Sequence, residues 1–363
     1  MDTVELRWSG HPPVVVPAIW LRDHCPCADC KVLATSERRM MIASQSLDLM
    51  PTSISEDDEG ITIDWGGHRS TYSRAWYDEI TSQVERHHLS PAHWNPDLPL
   101  PRFRHGDLNQ ATGSGRAAVS DFVTSFARHG AVVIQGVPSY SGESERFISR
   151  WAPIRELPFG RVHDVRIDPS GYNIAHTFEG LPPHSDFASY AWPPSGQGLH
   201  MLVNDAVGGD SIVVDGIAIA AQLTDDERDV LSTFPVPFRQ FDASVGHETW
   251  TKAPLFRLAP DGSITGLRFS NQLMQPLDPQ AHDLMRFYRA FHRFSSLLLD
   301  EANQHRFRLE SGDMLVVHGH RMLHGRSEYR PSTGARHLQD VYFEYEDMIN
   351  QLHVLGGSPA LTA

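Results

Sequence analysis

His184 and Asp186 stand one residue apart in the stretch Pro182-Pro183-His184-Ser185-Asp186. In a strand, residues i and i+2 point to the same face, so both side chains can ligate one metal ion. The third ligand lies far downstream, at His324 in the stretch LHGRSEY. A chain that unites these three must fold its later strands back over its earlier ones. Two histidines and one carboxylate on one face describe the facial triad of non-haem Fe(II) oxygenases, which leaves iron positions open for reactants. Alone, the tripeptide is a weak signal, because it arises easily among 21 His and 45 acidic residues. On spacing, His318 and His320 compete with His324 for the third position.

A chain of 363 residues, 40% apolar and 21% charged, has the balance of a globular protein with a large core, and its length suggests two domains. The net charge of −14 argues against a nucleic-acid partner and against an anionic membrane surface. The opening MDTVELRWSG has neither a basic start nor an apolar run, so no secretory signal is expected. All three cysteines lie between Cys25 and Cys30. An odd, tight cluster fits a metal site better than a disulfide framework and points to a reducing, cytoplasmic setting.

Along the chain, VELRWSGHPPVVVPAIWLRDHC reads as short strands with Pro-containing turns. Cys25, Cys27 and Cys30 supply three soft thiolates, and a structural Zn(II) site needs one more ligand. His68 is the best-placed candidate, at the edge of the Gly66-Gly67 turn; His11 and His24 compete, although His24 adjoins Cys25. A helical pattern from Ser73 to about His88 precedes Pro91, Pro96, Pro99 and Pro101, which exclude a helix or a central strand. The boundary therefore falls near residues 90–105, giving a zinc-binding domain over 1–95 and a second domain over 105–363. The second domain begins with a helix at about Ala117–His129 and the buried strand AVVIQGV. LHMLVNDA and SIVVDG, either side of Gly208-Gly209, read as a β-hairpin. Leu284, Phe287, Tyr288, Phe291 and Leu298 mark a core-facing helix. Many short strands with few helices, and no GxGxxG or GxxxxGK[ST], favour a mostly β jelly-roll with helices packed outside.

Arg336, twelve residues after His324, heads the last strand. Arginine grips a carboxylate with two parallel hydrogen bonds, which is what the far end of a 2-oxo diacid needs. The full set of motifs, WLRDHCPCADC, DWGGHRS, NIAHT, HSDF, GGDSIVVDG, LHGR and RHLQDVYFEYE, resembles the γ-butyrobetaine and trimethyllysine hydroxylase group of the taurine-dioxygenase-like Fe(II)/2-oxoglutarate dioxygenases. That resemblance spans nearly the whole chain. It implies a double-stranded β-helix (jelly-roll) catalytic domain behind a small β-rich zinc-binding domain, and commonly a homodimer. It implies zinc on Cys25, Cys27, Cys30 and His68, iron on His184, Asp186 and His324, and 2-oxoglutarate on Arg336, with O₂ as the second cosubstrate. The HGR context and the distance to Arg336 favour His324 over its neighbours.

The family's cage of Tyr and Trp faces around a trimethylammonium group is altered here. Tyr342 keeps its tyrosine, whereas Phe159, His163 and His176 stand where Tyr or Trp is expected. Asn173 matches an asparagine that contacts the substrate's anionic end; Arg268 and Asn271 are further anion-binding candidates, and Phe187 borders the pocket beside Asp186. The expected activity is oxidation of a small zwitterion of the γ-butyrobetaine type. A trimethylammonium-alkylphosphonate is the alternative substrate, and a non-catalytic metal-binding sensor the alternative class.

Overall fold

The computed structural model describes residues 3–57, 60–83, 91–108, 113–168, 174–243 and 246–356. They divide into two compact units, one within Met1–His88 and one within Leu89–Gly356. In the first unit, Thr3–Leu6 pairs with Val14–Pro17, and Ser53–Asp57, Gly60–Asp64 and Arg69–Tyr72 form an antiparallel meander. Alternation along these strands turns Val4, Leu6, Ile61, Ile63 and Tyr72 inward, against Leu21 of the helix Ala18–Asp23. The helical pattern after Ser73 forms Arg74–Gln83; its expected end near His88 lies outside the described residues.

The proline-rich stretch that follows belongs to the second unit as an extended strap. Ala92 donates its backbone N–H to Arg128, Trp94 donates Nε1–H to the Asn303 carbonyl, and His305 Nδ1 meets the Pro96 carbonyl. These contacts satisfy backbone groups that proline keeps out of any ladder.

Two sheets make up the core of the second unit. The larger has the spatial order Arg102–Arg104, Ala131–Gln135, Met314–His318, Gly196–Asn204, Arg336–Phe343, His163–Arg166. The smaller runs His305–Phe307, Ser211–Asp215, Met322–Arg326, Leu181–His184. Leu199, Leu315, Val317 and Leu338 of the large sheet meet Val213 and Met322 of the small one in a single apolar layer. The large sheet's outer face packs on the helix Gly113–His129, through Phe122 and Phe126, and on Met348 of the helix Tyr345–Gly356. The small sheet's outer face packs on Asp225–Thr233 and Leu284–Leu299, through Leu231, Phe287 and Phe294. The architecture is mostly β with flanking helices.

One expectation fails. Gly196–Asn204 and Ser211–Asp215 do not pair as a hairpin; the first joins Met314–His318 and Arg336–Phe343, the second joins His305–Phe307 and Met322–Arg326. Gly208 and Gly209, both at positive φ, carry the chain from one sheet to the other. A local turn signal cannot distinguish a hairpin from a sheet-to-sheet corner, because both need the same backbone. Among the described residues, no helix is long and apolar enough to cross a membrane.

Candidate metal centres and active-site chamber

In the first unit, the helix Ala18–Asp23 ends at His24 and the chain turns through Cys25 to Cys30, with the Cys30 and Lys31 N–H groups donating to the Cys27 carbonyl. Opposite, Gly66 and Gly67 sit at positive φ and close the turn that ends at His68. His68 Nε2 lies 3.3, 3.7 and 3.5 Å from the sulfurs of Cys25, Cys27 and Cys30. Tetrahedral zinc with sulfur ligands at roughly 2.3 Å separates its ligands by about 3.7 Å, so the spacing fits that ion. The surroundings fit as well: Arg22 donates to Cys30 Sγ at 3.1 Å, and Ser70 Oγ, itself held by Trp65 Nε1, donates to Cys25 Sγ at 2.9 Å. Burial pushes the Cys25 thiol up to about 12, against the opposing pull of Ser70; this is a group that gives up its proton to a metal rather than to water. Burial and the Arg22 charge push His68 down, leaving its imidazole neutral for ligation. His24 is engaged elsewhere, with Trp20 O and Arg38.

In the second unit, His184 and His324 are direct partners across two antiparallel strands, with ring centroids 4.6 Å apart. Asp186 joins them by a different route from strand alternation. The strand Leu181–His184 ends at the histidine, and Asp186 comes from the turn beyond it. Ser185 clamps that turn, donating its N–H to the Phe269 carbonyl at 2.7 Å and accepting from the Phe269 N–H at 2.8 Å. Phe187 then takes a φ of 53°, a left-handed conformation that costs an L-residue about 1–3 kcal/mol. The result places Asp186 Oδ1 3.1 Å from His184 Nε2 and Oδ2 3.8 Å from His324 Nε2.

The donor set suits a divalent metal. The three ligand atoms lie within 4.8 Å of one another. His184 Nδ1 faces the Pro182 carbonyl at 3.0 Å, which holds the ring proton there and frees Nε2. Burial pushes His324 down to about 4, so its imidazole is neutral. Burial works against an ionised Asp186, but the neighbouring histidines and the Tyr342 hydroxyl hold it below the usual carboxylate range. Tyr342 Oη and Gln197 Nε2 both donate to Asp186 Oδ2 at 2.8 Å. Of the competing histidines, His318 stacks on Tyr345 and His320 Nε2 meets the Pro193 carbonyl.

Beside the triad, a pocket of about 70 Å³ is lined by Ser211, His324, Arg326 and Arg336 among others. Arg336 is buried over the Tyr329 ring, and its Nε has no hydrogen-bond partner among the described residues. Burial, with the Arg326 charge, pushes its guanidinium down to about 10, still a cation at neutral pH. A buried guanidinium with an unpaired Nε suits an anionic ligand.

A larger chamber of about 400 Å³ opens on His184 and Asp186. Its aromatic wall is Phe159, Phe187 and Tyr342, with Phe187 edge-on to Tyr342 at 5.0 Å and Phe159 tilted against His163 at 4.3 Å. His176 is buried behind His163, edge-on at 5.4 Å, with Nδ1 on the Arg166 carbonyl. Asn173 lies outside the described residues. Arg268 is a correction: its guanidinium donates to the carbonyls of Ala188, Tyr190 and Ala191, so it anchors the loop after Asp186 and does not line the chamber. Asn271 is exposed, and its neighbours Ser270 and Gln272 line the chamber instead.

The hairpin Val236–Asp242 with His247–Ala253 contributes Arg239, Gln240 and Phe241 to the chamber, and Ser189 Oγ bonds Thr249 Oγ1 at 2.7 Å to hold it there. None of these was evident in the sequence, where the hairpin has no motif. Asp340, another lining residue, was readable: counting in twos from Arg336 to Tyr342 puts it on their face.

Comparison with known proteins agrees with this arrangement. The description "Taurine catabolism dioxygenase TauD, TfdA family" matches residues 94–342, and "Gamma-butyrobetaine hydroxylase-like, N-terminal" matches residues 1–77. A γ-butyrobetaine dioxygenase from Pseudomonas sp. is 31% identical over 97% of this chain and 93% of its own. A trimethyllysine dioxygenase from Meyerozyma guilliermondii is 26% identical over 100% of this chain and 96% of its own. Among solved structures, an asparagine oxygenase in complex with Fe(II), hydroxyasparagine and succinate is similar in fold, with a TM-score of 0.51 and 19% identity over 67% of this chain and 93% of that one. The chain belongs to the taurine catabolism dioxygenase TauD, TfdA family, whose members are Fe(II)- and 2-oxoglutarate-dependent dioxygenases.

Proposed function

We propose that this enzyme oxidises a small zwitterion of the γ-butyrobetaine type, with an ammonium group, quaternary in the first instance, at one end and an anion at the other. The observation that carries the reading is the direct cross-strand pairing of His184 with His324, closed by Asp186, between the pocket of Arg336 and the chamber of aromatic faces. His184, Asp186 and His324 would hold Fe(II), and Arg336 would pair with the distal carboxylate of 2-oxoglutarate. Iron so held supplies the oxidising power for C–H cleavage when 2-oxoglutarate and O₂ are present. The protein's own part is to orient and to shield. Tyr342 and Gln197 steady the Asp186 carboxylate, and the apolar layer of Leu199, Leu315 and Leu338 walls the cosubstrate pocket from water. Phe159, Phe187 and Tyr342 offer ring faces to the ammonium. Gln272, whose buried Nε2 has no partner among the described residues, and Arg239 offer donors to the anionic end.

The same reading takes the catalytic unit as a double-stranded β-helix and residues 1–95 as a zinc-stabilised domain ahead of a catalytic domain over 105–363. It takes the protein as a cytoplasmic homodimer, on the family resemblance and the three reduced cysteines. The relatives named for γ-butyrobetaine and trimethyllysine favour a carboxylate end. A trimethylammonium-alkylphosphonate is the second reading, favoured by the replacement of cage aromatics with His163 and His176. Succinate release should be measured across betaines, amino acids and aminophosphonates, with product analysis. Coupled oxidation of γ-butyrobetaine is expected; uncoupled succinate release with it, beside coupled oxidation of a phosphonate, would select the second reading. A sensor would release no succinate with any of them.

A further inference from the structure

Asp340 is a second buried carboxylate in the chamber, and the reaction as described gives it no task. It is 5% exposed and borders both the chamber and the Arg336 pocket. Its Oδ1 is buried without a hydrogen-bond partner among the described residues. Its Oδ2 has the Tyr342 hydroxyl at 3.4 Å, already committed to Asp186 at 2.8 Å, and His163 Nδ1 at 4.0 Å; burial pushes the carboxyl up and His163 pulls it the other way. Arg326 and Arg336 act on it through space but form no direct ion pair with it among the described residues. Arg326 donates to the carbonyls of Ile174, Ala175, Thr177 and Glu179. Arg336 lies four residues back on the same strand face, about 13 Å along the backbone, and makes no ion pair with it within 4.0 Å.

A buried carboxylate without a close, hydrogen-bonded cation is poorly stabilised in its charged form, and a ligand that brings one improves its balance. Phe159, Phe187 and Tyr342 line the same chamber, and their ring faces attract cations in their own right. A carboxylate and three aromatic rings lining one chamber make a receptor for an organic ammonium. The geometry points to Asp340 as the counter-ion of the substrate's ammonium group, doing by charge what the missing Tyr and Trp faces at His163 and His176 no longer do. This rests on the zwitterion reading above and assigns the residue that reads its positive end.

The test is calorimetric binding to anaerobic protein loaded with Fe(II) and 2-oxoglutarate. The ligands are γ-butyrobetaine and trimethylammonioethylphosphonate, each beside its neutral isostere in which tert-butyl replaces trimethylammonium. At least one cation should bind the wild type about tenfold or more tightly than its isostere, and Asp340→Asn should bring that ratio to about twofold or less. The affinity for 2-oxoglutarate should stay within about twofold. Asp340→Ser, with zinc and iron content and circular dichroism as folding controls, serves if the asparagine variant does not fold. A cation preference that survives both variants overturns the assignment. So does a wild type with no such preference, or a variant that changes only 2-oxoglutarate affinity. A cation that binds by this rule but yields no succinate supports the Asp340 assignment and refutes the proposed oxidation instead.

Discussion

Replacing Tyr342 by phenylalanine removes one oxygen and keeps the ring face. That oxygen donates to Asp186 Oδ2 at 2.8 Å and accepts from Gln197 Nε2 at 3.2 Å, so the perturbation falls on the metal-binding carboxylate. A hydrogen bond to a charged group contributes roughly 1.5–3 kcal/mol, and loss of a group that orients a metal ligand lowers metal affinity by about 10–100-fold. Gln197 still donates to the same oxygen at 2.8 Å, which limits the loss. The expected effect of Tyr342→Phe is therefore a fall of about tenfold in Fe(II) affinity, the lower end of that range. Anaerobic competition against a calibrated chelator measures it, and the zinc content is the internal control. At saturating iron, the KM for the cationic substrate should stay near the wild-type value, because the π face survives. Unchanged iron affinity with a raised substrate KM would refute the reasoning and make Tyr342 purely a wall of the chamber.

Cys27→Ser should bring zinc content to background and remove the first unit's cooperative thermal transition, with iron binding retained; zinc retained at full stoichiometry would exclude this four-ligand set. Arg336→Met leaves the far carboxylate of 2-oxoglutarate unpaired and should raise its KM by roughly 30-fold or more, the equivalent of about 2 kcal/mol. An unchanged KM would move the anion site elsewhere. Arg268→Met removes three hydrogen bonds to the carbonyls of Ala188, Tyr190 and Ala191 and should cost about 2–3 kcal/mol in thermal or denaturant unfolding. A KM rise for strongly anionic substrates, with stability intact, would instead restore Arg268 to the substrate.

Both metal centres could be read from the sequence because their chemistry demands particular residue types at close spacing. Cys25, Cys27, Cys30 and the glycine turn before His68 needed only local geometry, and Arg336 followed from its distance to His324. What was hidden depends on long-range packing. Asp186 reaches the triad through the Ser185–Phe269 clamp, a contact across 84 residues that no spacing rule contains. Arg268 looked like an anion anchor because its type suits that role; the three carbonyls that occupy it lie on a loop some eighty positions earlier in the chain. The hairpin bearing Arg239 and Gln240 is an ordinary antiparallel pair, and only its seat over the chamber gives it a role. Asp340 was overlooked for the opposite reason. It shares a strand face with Arg336 and Tyr342, and the alternation that revealed them passes through it.

The central claim is that His184, Asp186 and His324 hold iron with 2-oxoglutarate bound toward Arg336, and anaerobic absorption spectroscopy tests it most directly. Fe(II) added to the zinc-loaded protein with 2-oxoglutarate should produce the weak visible charge-transfer band of that chelate in the wild type. The band should be absent in His184→Ala and should need far more 2-oxoglutarate in Arg336→Met. A wild type that binds iron yet shows no band, or a His184→Ala variant that keeps it, would contradict the account.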